Sequence, residues 1–140
     1  MRVMVIVKAT ADSEAGLMPT SDLMEAMGKF NEQLVNAGIM RDGDGLKPSS
    51  HGKRVAFDGA SRQVIDGPFA ETRELMAGYW VWEVRDMAEA LDWARRCPNP
   101  MPGPSELELR PFVEMADFGP ALTPDLAKAE QALRDRLTKG

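Results

Sequence analysis

One cysteine and one histidine stand in 140 residues. The lone thiol, Cys97, excludes an internal disulfide and suits a reducing compartment. With one member of each type, a Cys/His zinc site lacks ligands. Basic residues are also the minority, 17 Lys and Arg against 22 Asp and Glu, for a net charge of −5. That balance argues against sequence-independent binding of nucleic acid, and Arg95-Arg96 is too short a cluster to reverse it. No apolar run approaches the ~20 residues of a membrane span. The N-terminal "MRVMVIVKAT" lacks a signal-type cleavage segment and reads as a first strand. No Walker or dinucleotide fingerprint and no Gly-x-Ser-x-Gly elbow occurs. "DGDG" at 42 to 45 lacks the distal ligands of a calcium loop. The expectation is a cytoplasmic protein with no cofactor, no metal, and no nucleic-acid or membrane partner.

What is present is an ordinary globular mixture, 44% apolar and 28% charged, long enough for a real core. "RVMVIVK" is apolar on both sides and reads as a central strand. Leu23, Met27, Phe30 and Leu34 form one helical stripe after Ser21, and Gly38 closes that helix as a left-handed cap. Residues 9 to 20 read as a loop. "IMRDGDG" is a short strand, and "KRVAF" and "RQVID" flank "DGAS" as a hairpin. "GYWVWEV" is an aromatic strand. Asp86 and Glu89 have capping-box spacing before Met87, Ala90, Leu91 and Ala94. "PNPMPGP" ends that helix. "ELELRPFVE" alternates as a last strand, and Thr123-Pro124 starts a final helix with a thin apolar stripe. That helix is expected to dock on the main domain or on a partner subunit.

The order β-α-β-β-β-α-β plus a C-terminal helix predicts an α+β fold, a ferredoxin-like sandwich with an antiparallel sheet and an extra β-hairpin. Residues 1–115 form the domain and 116–140 an extension. Val3, Val5 and Val7 oppose Met4 and Ile6 on a strand that is apolar on both faces. One helical layer covers only one of them, so a homodimer is expected.

"VIDGPFAETRELMAGYW", "ELRPFVE", "GLKPSSHG" and "RCPNPM" resemble the YCII-related family, specifically its DGPF-domain branch, over residues 1 to 115. The resemblance implies a dimeric α+β barrel, the architecture of muconolactone isomerases, small cofactor-free monooxygenases and related lyases. Some relatives accompany alternative sigma factors. In the wider family a His on the first helix, paired with an Asp, is the proposed catalytic couple. Here the first helix, "SDLMEAMGKFNEQLVNAG", has no His, so the couple does not carry over.

The candidate residues each have two readings. Asp66 either makes a turn, capping its own backbone while Gly67 supplies unusual dihedrals, or acts as a general base at the barrel mouth. Arg110 either closes an internal salt bridge with Asp66 or Glu108 or holds a substrate anion. Trp80 and Trp82 are expected in the core, which points Tyr79 and Glu83 to the same side as Arg110. His51 is either solvated or a proton-transfer group, and Ser49 and Ser50 in the same loop are candidate ligand contacts, as are Tyr79 and Glu83. Cys97, at a helix C-terminus, is expected to be structural. The function these residues suggest is binding of a small polar or anionic molecule, with cofactor-free proton transfer by Asp66 or His51. The alternative is a metabolite-sensing or regulatory module.

Overall fold

The computed structural model describes residues 1–139, and for Arg73 the backbone alone. Six strands and four α-helices follow in the order β1 (Arg2–Lys8), α1 (Ala11–Glu14), α2 (Ser21–Asn36), β2 (Met40–Gly45), β3 (Lys53–Asp58), β4 (Ser61–Asp66), β5 (Met76–Glu83), α3 (Met87–Arg96), β6 (Leu107–Pro111) and α4 (Pro124–Lys139). One antiparallel sheet has the strand order β2-β5-β1-β6, and β3 and β4 form a separate hairpin. This is a ferredoxin-like α+β arrangement.

The helix ends form where their side chains dictate. The Thr20 hydroxyl accepts the Leu23 N–H at 3.2 Å, and Gly38 follows α2 with a φ of 74°. At α3, Asp86 accepts the Glu89 N–H at 2.9 Å, and Glu89 accepts the N–H of Arg85, one residue before the cap, at 3.0 Å. The stretch read as a loop between β1 and α2 contains α1. Its capping box uses Thr10 and Ser13, whose hydroxyls make the local bonds that a search for acidic capping partners passes over.

The core lies on one face of the sheet. Val3, Val5, Trp80 and Trp82 meet Phe30 and Leu34 of α2 and Ala90 of α3. The Phe30 ring stands edge-on to Trp80 at 6.1 Å and to Trp82 at 6.3 Å. Such pairs add about 0.5–1.5 kcal/mol each beyond the area they bury. The tryptophans therefore sit against the helices, as alternation predicts. Met4, Ile6, Tyr79 and Val81 point the other way and lie outside this cluster, although Ile6 is itself buried.

Two elements stand apart. Every residue of the β3–β4 hairpin is exposed, and a two-stranded hairpin alone is marginal in water. Its base must therefore be anchored elsewhere. Helix α4 buries no residue, and Leu126, Leu133 and Leu137 are all more than half exposed. No helix among the described residues is long and apolar enough to cross a membrane.

Candidate functional site

Strand register determines what the second face of the sheet presents. Across it, Asp44, Tyr79, Ile6 and Glu108 form one row, and Asp42, Val81, Met4 and Arg110 the next. Glu83 and Arg2 pair in a third row, where the Phe112 N–H donates to the Arg2 carbonyl at 3.0 Å. The middle of the face is apolar and its edges are charged. Tyr79, Glu83 and Arg110 thus share a face, as expected. They do not converge, because Tyr79 and Glu108 lie two strand spacings apart, about 10 Å.

The cationic edge is built on β1 and β6. Glu108 Oε2 receives Arg110 Nη1 at 3.2 Å, and Glu108 Oε1 lies 3.6 Å from Lys8 Nζ. Two cations around one carboxylate leave a local excess of positive charge. The Arg110 side chain is 71% exposed in the single chain, so its ion pair is a surface one. The hydrogen bond from Arg110, helped by the charge of Lys8, holds the Glu108 carboxyl below its ordinary 4.5. A depressed folded pKa means that the unfolded chain takes up the proton first. The contribution is whole above about pH 4.5 and is lost as pH falls through the lower folded value. Carboxyl NMR of Glu108 should show a midpoint below 4.5 that moves up in Arg110→Gln. An unmoved midpoint would refute the pairing.

Lys8 belongs to this cluster and was not among the residues singled out from sequence. The alternation of β1 carries it onto the Ile6 face, although the register shifts between Val7 and Lys8. Glu83 sits at the opposite end, 3.7 Å from the N-terminal ammonium.

Asp66 and His51 occupy a different unit. Asp66 ends β4 and receives Lys53 Nζ at 2.5 Å, with both side chains largely exposed. It does not cap its own turn. Nor does Gly67 supply a left-handed dihedral, since among the described residues the positive-φ ones are Gly16, Gly38, Gly59 and Gly119. Gly67 is needed for close approach instead. A Cβ there would lie 1.8 Å from the Ser49 carbonyl oxygen, and the Gly67 N–H donates to Gly52 O at 3.0 Å. The Asp-Gly-Pro-Phe turn is therefore seated on the Pro-Ser-Ser-His loop.

Ser49 is the centre of that seat. Its hydroxyl donates to Glu14 Oε2 at 2.5 Å and accepts the Phe69 N–H at 3.1 Å, while its own N–H donates to Glu14 Oε1 at 3.0 Å. These bonds make Ser49 a structural latch between α1, the loop and the turn. The Arg54 guanidinium lies 3.7 Å over the Phe69 ring and ties in the hairpin base. Ser50 and His51 remain exposed beside this latch. Cys97 packs against the core, and burial pushes its thiol up to about 11. That is the reverse of a nucleophile's requirement.

An antiparallel four-stranded sheet with helices on one face and a charged-rim second face defines a ferredoxin-like α+β domain. The YCII-related domain pattern matches residues 1–113, and the chain belongs to that family. It is also 30% identical to an uncharacterised protein of Rhizobium meliloti (strain 1021) over 91 residues, 65% of this chain and 73% of the relative.

Proposed function

We propose that the protein binds a small anionic molecule over the second face of the sheet, with a second copy closing the cavity as a dimeric barrel. The carrying observation is the Lys8–Glu108–Arg110 cluster on the face opposite the main hydrophobic cluster. Arg110 spends one nitrogen on Glu108 and keeps further donors in its fork for a carboxylate. Tyr79 stands across Ile6 from Glu108 and supplies a phenol to the same cavity. Burial of this face by a partner would strengthen each of these contacts by excluding water.

Proton transfer without a cofactor is the chemistry proposed for this cavity. We assign the base to His51, because Asp66 is engaged by Lys53; His51 belongs to the hairpin unit, so this reading requires its loop to fold over the mouth of the closed barrel. The contiguous Asp66-Gly67-Pro68-Phe69 motif supports placement in the DGPF branch of the family.

Levulinate, a small keto acid with exchangeable C–H bonds, is a suitable probe. Calorimetry should show saturable binding that weakens at least about tenfold in Arg110→Gln, the loss expected for one charge-assisted hydrogen bond. Deuterium exchange into bound levulinate should vanish in His51→Ala while binding persists. Equal binding by wild type and Arg110→Gln would remove the anion site, and sedimentation as a monomer at micromolar concentration would remove the closed cavity.

A further inference from the structure

On the opposite, helix-covered side of the sheet, a cleft of about 420 Å³ opens between α2, the β2 edge and the Pro100–Met101 turn. That volume is in the range of small-molecule sites. Three glycines leave bare backbone in its floor, beside Val7, Met40 and Trp80. Gly45 pairs with Gly78 across β2 and β5, and Gly43 lies opposite Trp80. Packing demands two of these glycines: a Cβ on Gly43 would sit 2.8 Å from Trp80 Cδ1, and one on Gly78 would sit 3.0 Å from the Asp44 carbonyl oxygen.

The other two cleft glycines have no such reason. A Cβ on Gly45 or Gly28 would meet nothing within 4 Å, and neither residue has a positive φ. Gly28 lies in the middle of α2, where glycine is less favourable than any residue except proline. One position on the helix and one on the sheet edge therefore keep the cleft open although a side chain would fit. Met24 and Met27 line the helix wall, and unbranched thioethers adapt to a flat surface. The cleft also contains one oriented amide. Asn31 Oδ1 accepts the Trp80 indole N–H at 2.8 Å, which directs the two Nδ2 hydrogens to another acceptor.

We propose that this cleft binds a planar, largely apolar small molecule of one or two fused rings, carrying a hydrogen-bond acceptor that the Asn31 amide engages. The site is separate from the anion site on the second face, and neither depends on the other.

Quinoline, a flat bicycle with one acceptor nitrogen, is the probe. Titration of the ¹⁵N-labelled full chain should give saturable shifts at the Trp80 indole N–H and the Asn31 side-chain amide. Asn31→Asp keeps the acceptor for Trp80 but removes the donors, and should weaken quinoline about tenfold. Gly28→Leu fills the cleft from a helix-favouring position and should abolish the shifts. Gly45→Val closes it from the sheet side and gives the same readout should the first variant fold poorly. Quinoline binding that survives both cleft-filling variants overturns the proposal. So does the absence of saturable shifts in the wild type, their location on the second face, or a Gly28→Leu effect on oligomeric state alone.

Discussion

Gly67→Ala should detach the β3–β4 hairpin from the rest of the molecule. The new methyl carbon would lie 1.8 Å from the Ser49 carbonyl oxygen. Backbone on both sides must move apart, because no rotamer change relieves a clash of this kind. The separation breaks the Gly67–Gly52 hydrogen bond and the Phe69–Ser49 bond. It also strains the contacts of Glu14 with Ser49. Each neutral bond contributes about 1 kcal/mol and those to a carboxylate more, so the loss is roughly 3–5 kcal/mol. None of these groups belongs to the hydrophobic core. The sheet and its helices can therefore survive while the hairpin opens locally, and the fall in global stability is capped by the docking free energy. Hydrogen exchange should accelerate over residues 49 to 69 and remain slow in β1 and β5. Uniform acceleration through the whole chain, or none anywhere, would contradict the latch.

Trp82→Ala strikes the core itself. The side chain is fully buried and faces the edge of Phe30 at 6.3 Å. Truncating a buried tryptophan costs about 3–5 kcal/mol in lost burial and residual cavity. For a marginal domain that is a large part of total stability. Trp82→Phe separates two terms. The indole Nε1 is buried with no hydrogen-bond partner among the described residues, and an unpaired buried donor carries a desolvation cost of about 1–3 kcal/mol. Phenylalanine removes that donor while keeping a ring. Urea denaturation should accordingly place Trp82→Phe much nearer wild type than Trp82→Ala. Equal losses would mean that volume alone governs the site.

Much of this molecule was legible in its residues because the signals are local. Val3, Val5, Trp80 and Trp82 alternate with residues of the other face, and a period of two is readable without knowing any partner strand. Asp86 with Glu89, and Thr123 with Pro124, mark helix starts through bonds that span three residues or fewer. The placement of Tyr79, Glu83 and Arg110 on one face followed from the same parity. Helix α1 was missed because four residues carry too little periodicity to stand out.

The site's contacts were not legible, because they join distant parts of the chain. Ser49 looked like a ligand contact until the fold brought Glu14, 35 residues away, and Phe69, 20 residues away, onto its hydroxyl and amide. Gly67 looked like a dihedral requirement, yet its constraint comes from another loop. Asp66 looked free to act as a base, and the hairpin register gave it Lys53 instead.

The sequence by itself determined the strands, the three longer helices, the buried face of the sheet and the family, since each rests on periodicity, capping or a contiguous motif. Only the tertiary structure decided which charges meet, which hydroxyl is a latch and where glycines leave space. Those properties depend on atoms brought within a few ångströms of one another by strand pairing and loop closure, and no spacing along the chain encodes that distance.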